Sequence, residues 1–264
     1  SDTVRRLSYS SNSKVGRAIE NKEVNQWGIY PYDCTRLILS SGKYINANLV
    51  FDKFILTQSP VTPECKTDSP CNTVDVFYEM IAEKRPSSIV MLNGETGSDF
   101  LTYYPQEINQ TKSYGGYTIK LLDKTIHSLP DSLGRMKAAV TERRLLISDA
   151  RGCSKEVAHI KAENWKDFTK GEENLILKVA QLVKKYEHPD KPVVIHCRAG
   201  VGRTGVLAVV LHHYDEACKG RSVDVIDTVK TIRSTERGRC PYMLQGDHQI
   251  LSAHKALLNL KPYP

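Results

Sequence analysis

The 264-residue sequence contains no run of about 18 apolar residues, and so offers no membrane span. Its opening stretch, "SDTVRRLSYSSNSK", has neither an initiator Met nor the apolar core of a signal peptide, and reads as the start of an excised domain. Among its seven cysteines (34, 65, 71, 153, 197, 218 and 240) there is no Cys-x-x-Cys and no metal-ligand spacing. That pattern argues against a disulfide framework and against zinc, leaves a Cys65–Cys71 bridge as an alternative, and places the chain in a reducing, cytoplasmic compartment. The 37 Lys and Arg outnumber the 30 Asp and Glu for a net charge of +7, but they are scattered. With no basic block and no interleaved aromatics, a nucleic-acid partner is not indicated, whereas an anionic ligand is permitted. No repeat, low-complexity tract or linker divides the chain. Residues 1–20 read as a loose lead-in and 21–264 as one domain.

What is present reads as a mixed α/β domain. Strand-like runs with β-branched content and near-alternation occupy 44–50, 53–58, 87–92, 116–122, 143–148 and 157–162. The period then changes. Residues 172–186 are apolar at 175, 176, 179, 182, 183 and 186, the stripe of an amphipathic helix. "PVVIH" (192–196) predicts a central strand buried on both faces, and helical patterns follow at 203–218, 224–234 and 247–258. One sheet flanked by helices drawn largely from the C-terminal half accommodates this order.

The most informative stretch is "VVIHCRAGVGRTGVLA" (193–208). Gly200-x-Gly202-x-x-Gly205 outlines a dinucleotide-binding turn, but that reading accounts for neither Cys197 nor Arg203, and only about sixty residues remain for the rest of such a domain. A buried strand, a tight turn and a helix starting near Arg203 would instead point several backbone N–H groups into one concavity at the positive end of a helix dipole. Those donors hold an anion and favour a thiolate at Cys197, while Arg203 supplies a planar fork for two phosphate oxygens.

"HCRAGVGRTG" (196–205) resembles the signature of the tyrosine-specific protein phosphatases. The likeness extends over roughly 25–258 through "PYDCTRLIL", "YINANLV", "FILTQSP", "YYP", "NWKDF" and "YMLQGDHQ". It implies a twisted mixed sheet with the phosphate-binding loop between a central strand and a helix. It also implies a phosphotyrosine-bearing protein substrate, and a mechanism that needs neither metal nor organic cofactor. By this resemblance Cys197 is the nucleophile, and Asp167 the acid on a mobile loop. Thr204 hydrogen-bonds the departing thiolate, and Gln245 with Gln249 positions the hydrolytic water. Arg198, Ala199, Gly200, Val201, Gly202 and Arg203 surround the phosphate, Glu95 orients Arg203, and His196 orders the loop.

Several positions depart from the family. Arg198 stands where serine is usual, and Trp165-Lys166-Asp167 replaces Trp-Pro-Asp. In "NQWGIYPYD" an ungapped alignment puts Gln26 where the ring-clamping tyrosine belongs, with Trp27 beside it and Gly28 where an acidic residue is usual. Two alternatives therefore stay open: a phosphatase for other phosphoesters such as phosphoinositides, and a pseudoenzyme that binds phosphate without turnover.

Overall fold

The strand at 193–196, β8 (Val193–His196), is buried at all four positions because it lies between two parallel neighbours, β2 (Phe54–Thr57) and β3 (Ser88–Met91). This is the computed structural model of the chain, and it describes residues 14–63, 71–93, 101–130, 134–163, 165 and 173–260. The sheet has eight strands in the order β1-β2-β8-β3-β7-β6-β5-β4, completed by β1 (Ala47–Val50), β4 (Thr111–Tyr114), β5 (Tyr117–Pro130), β6 (Met136–Asp149) and β7 (Ser154–Glu163). The β2-β8-β3-β7 centre is parallel and both flanks are antiparallel.

Alternate residues of each central strand feed two cores. On one face Phe54, Leu56, Val90, Ile160, Val193 and Ile195 pack with α3 (Glu173–Tyr186), α4 (Gly202–Cys218), α5 (Val225–Arg233) and α6 (Asp247–Leu258). On the other, Ile55, Ile89, Met91 and Val194 meet α2 (Val74–Lys84) through Phe77, Tyr78 and Ile81. The expected strands and the four C-terminal helices are present, with boundaries shifted by up to three residues for the shorter strands. The structure adds α2, β4 and a far longer β5–β6 hairpin than the two short runs suggested. Of the segment read as a loose lead-in, residues 16–20 form a short helix, α1 (Gly16–Glu20), with Val15 and Ala18 buried.

The outer half of the hairpin is tied to α3. Buried Glu142 of β6 accepts from His127 Nε2 at 2.7 Å, from Lys185 Nζ at 2.6 Å and from the Tyr186 hydroxyl. Burial pushes the Glu142 carboxyl up, but these three donors outweigh it and hold the group down to about 2. The helix that follows Asp167 in the chain is thereby fixed to the sheet at its C-terminal end.

Candidate active site

The loop between β8 and α4 is shaped by what holds its carbonyls. His196 Nδ1 donates to the Cys197 carbonyl at 3.1 Å, and Ser59 N–H to that of Arg198 at 2.9 Å. Arg239 donates through Nη2 to Ala199 O at 3.2 Å and through Nε to Gly200 O at 2.8 Å. In a trans peptide the C=O and the next N–H point in opposite directions. Tying four successive carbonyls outward therefore turns the amides of Arg198, Ala199, Gly200 and Val201 toward the other, concave side. Gly202 then opens the 17-residue α4, whose first N–H groups lack intrahelical acceptors. The result is a row of donors at a helix N-terminus, suited to a tetrahedral oxyanion.

One glycine of the loop is required by contact, and a second shows what lies against it. Gly200 has φ +71°, and a Cβ there would lie 2.2 Å from the Thr57 carbonyl oxygen. At Gly202 a Cβ would stand 2.6 Å from Gln249 Nε2 and 2.8 Å from Gln245 Oε1, so both glutamine side chains lie against the loop. Gln249 is buried and its Oε1 accepts from Gln245 N–H at 2.7 Å, while Gln245 itself is largely exposed. The structure thus brings the two glutamines together against the loop.

Cys197 is 2% exposed at the start of the loop and Arg203 is 3% exposed in the first turn of α4. Arg203 Nη1 donates to the Trp165 carbonyl at 2.8 Å, so the chain two residues before Asp167 is fastened to the same guanidinium. Thr204 is fully buried beside it. Asp167, Lys166 and Glu95, as well as Cys65 of the alternative bridge, lie outside the described residues. The six described cysteines, Cys71 included, are free thiols.

The segment ahead of "PYD" sorts Gln26 from Trp27. Gln26 is buried, with its N–H on Gln58 Oε1 at 3.1 Å and its side chain on the Glu23 carbonyl at 3.2 Å, and cannot form a wall for a substrate ring. Trp27 is the residue beside the loop: the Arg198 guanidinium lies 5.4 Å from its ring centroid. Trp27 and Gly28 both have positive φ, 61° and 63°. For a bulky residue this is an unusual backbone, kept where the surroundings over-determine it. Asn25 does so here, donating to the Ala18 carbonyl at 2.7 Å and accepting from the Tyr44 hydroxyl at 2.7 Å and from Asn46 at 2.8 Å.

Asn46 also accepts from Arg239 Nη2 at 2.8 Å, and Asn48 from Nη1 at 2.9 Å. One fully buried guanidinium thus braces β1, the Trp27 segment and the phosphate loop together. Arg239 was not singled out from the sequence; "RGRCP" has no local pattern, and its partners lie 39 to 193 residues away.

Behind the loop, buried His196 is linked to Tyr103, whose hydroxyl lies 2.7 Å from His196 Nε2. Desolvation dominates at His196 and Arg203 adds to it; a hydrogen bond to the Cys197 carbonyl opposes them, and the imidazole is pushed down to about 4. It is neutral near neutral pH and serves the loop through hydrogen bonding.

The comparisons with known proteins identify the family. The family model for protein-tyrosine phosphatase matches residues 21–259. The chain is 26% identical over 258 residues to mouse tyrosine-protein phosphatase non-receptor type 20, covering 93% of this chain and 55% of that protein. It is 28% identical over 262 residues to human receptor-type tyrosine-protein phosphatase C, covering 95% of this chain and 19% of the relative. Against rat tyrosine-protein phosphatase non-receptor type 2 it is 26% identical over 284 residues, covering 98% of this chain and 61% of the relative. The chain thus spans about half to three-fifths of the two non-receptor relatives and a fifth of the receptor-type one. With the match extending across nearly all of its length, the chain belongs to the protein-tyrosine phosphatase family.

Proposed function

We propose that this domain hydrolyses phosphotyrosine in proteins through a cysteinyl-phosphate intermediate, in a reducing, cytoplasmic setting. The observation that carries the reading is Cys197 set in a loop whose four outward-tied carbonyls leave the amides facing inward, with buried Arg203 at its rim. The Cys197 thiolate attacks phosphorus, forming S–P as the P–O bond to the aryl group breaks, and Asp167 gives its proton to the leaving oxygen. Arg203 and the loop amides hold the equatorial oxygens as charge redistributes. Water held by Gln245 and Gln249 then attacks phosphorus while Asp167 takes its proton. The S–P bond breaks, releasing inorganic phosphate and restoring the thiolate, which Thr204 receives by a hydrogen bond. Trp27 and Arg198 form the rim that the substrate ring meets. No step calls for a metal or an organic cofactor.

The test is a turnover assay on an activated aryl phosphate, a phosphotyrosine peptide and a phosphoinositide. Turnover of both aryl substrates and not of the lipid is expected. Lipid-selective turnover would move the domain to the phosphoinositide reading, and binding without turnover to the pseudoenzyme reading. Asp167→Ala should slow the peptide by about 10²-fold or more, and the activated aryl phosphate far less, because only the poor leaving group needs a proton in the transition state. Equal losses on the two would remove Asp167 from the acid role.

A further inference from the structure

We propose that His159 is a positioning residue of the phosphate loop: it orients the Tyr103 hydroxyl toward His196, and through that imidazole holds the Cys197 carbonyl back so that the Arg198 amide faces the oxyanion. The inference rests on the reading of this loop as a phosphoryl site. His159 Nε2 lies 3.0 Å from the Tyr103 oxygen, Tyr103 lies 2.7 Å from His196 Nε2, and His196 Nδ1 lies 3.1 Å from the Cys197 carbonyl oxygen. Both imidazoles and the phenol are fully buried.

The direction of every hydrogen bond in this chain is forced. A carbonyl only accepts, so His196 carries its proton on Nδ1, and in the neutral imidazole Nε2 is then a bare acceptor. Tyr103 must give its single proton to that nitrogen. Toward His159 the phenol oxygen can only accept, so His159 carries its proton on Nε2. Its Nδ1 has no hydrogen-bond partner among the described residues, and a buried lone pair without a donor is easier to accommodate than a buried N–H without an acceptor. The three dipoles run head to tail and end on the carbonyl of the nucleophile's own residue. In such a chain each bond accepted strengthens the next bond donated.

The surroundings keep this order in place. His159 sits opposite Arg143 on β6 and opposite Ile89 on β3. Its ring packs 4.3 Å from that of Tyr104, over which the Arg143 guanidinium lies at 4.7 Å. Desolvation, then the charges facing it from Arg143 and Lys161, push His159 well below the usual histidine range, and a proton on His196 would push it further. Both imidazoles therefore stay neutral, and a second proton that would reverse the chain is disfavoured. Tyr103 is itself fixed, its carbonyl accepting from the Tyr78 hydroxyl of α2 at 2.7 Å.

The test compares His159→Phe, which keeps a ring but loses the donor, with His159→Gln, which keeps an N–H of similar reach, and with Tyr103→Phe, which cuts the chain. Iodoacetate inactivation is followed against pH, and the inorganic phosphate concentration giving half-protection is measured, with melting temperature as a control. His159→Phe and Tyr103→Phe should move the inactivation midpoint to higher pH and raise the phosphate needed by about 3- to 10-fold, the worth of one net hydrogen bond. His159→Gln should remain within about twofold of the parent. A His159→Phe protein matching the parent in both measurements would overturn the proposal. So would equal losses in the Phe and Gln variants that track melting temperature. Should His159→Phe fail to fold, Tyr103→Phe against His159→Gln makes the same comparison. A parent protein that phosphate does not protect would instead remove the phosphoryl-site reading itself.

Discussion

Cys197→Ser should abolish turnover of aryl phosphates while leaving oxyanion binding within a few-fold of the parent. The two effects separate because the groups responsible are different. Binding comes from amides whose direction is set by His196, Ser59 and Arg239, none of which touches the sulfur in making those bonds. Turnover needs a nucleophile that is ionised before attack and leaves readily afterwards. A serine hydroxyl is nearly isosteric but is neither, and no imidazole is free to activate it: His196 is already committed to the Cys197 carbonyl and Tyr103. A fall of about 10⁴-fold or more in initial rate is expected, with tungstate affinity by calorimetry as the binding control. Residual hydrolysis near the parent rate would end the cysteinyl-phosphate mechanism.

Arg203→Lys should cost about 10³-fold in kcat/KM and weaken oxyanion binding as well. Arg203 has two demands on one planar group: the Trp165 carbonyl at 2.8 Å and the phosphate oxygens facing the loop. A guanidinium meets both with separate N–H groups in fixed directions, whereas a compact ammonium on a flexible stem must choose between them. Steady-state kinetics on a phosphotyrosine peptide, with tungstate titration, would check this. A lysine variant retaining more than about a tenth of parental kcat/KM would mean that the amide row alone carries the transition-state charge.

The parts of this site that could be read from the chain are those built by neighbours in sequence. The apolar run at 193–196, the spaced glycines and the helical pattern beyond them lie within about two dozen residues, and the physics of a strand–turn–helix joins them locally. Arg239 could not be read in this way, because its role depends on Asn46, Asn48, Ala199 and Gly200 arriving at one point in space. The helix at 74–84 is not legible in the sequence because Val74, Val76, Phe77, Tyr78 and Ile81 favour a strand as readily as a helix; packing of Phe77 and Tyr78 against Tyr103 decides it. The outer hairpin is hidden for the opposite reason. From Asp123 to Pro130 its residues are at most half-buried, so no apolar alternation marks them, and pairing with 136–144 and the Glu142 cluster hold them instead. Counting back from "PYD" sets Gln26 at the tyrosine position with Trp27 beside it; in the fold Gln26 is held inward by Gln58 and the Glu23 carbonyl, and Trp27 is the one that lies against Arg198.

The neutral imidazoles behind the loop make the fold a proton acceptor when it opens. His196, fully buried, is pushed by desolvation from 6.5 to about 4, and His159, equally buried, is pushed well below the usual histidine range. In the unfolded chain each would protonate near 6.5, so between about pH 6.5 and 4 unfolding takes up protons and stability rises with pH. Their stabilising contribution is complete above that window and is lost as pH falls through it, on the order of 3 kcal/mol for His196. Unfolding enthalpies measured at pH 5 should accordingly depend on the ionisation enthalpy of the buffer, and those at pH 8 much less. An acid limb in the rate profile would then report loss of the folded domain as well as the titration of catalytic groups, and the two separate only when melting is followed at each pH.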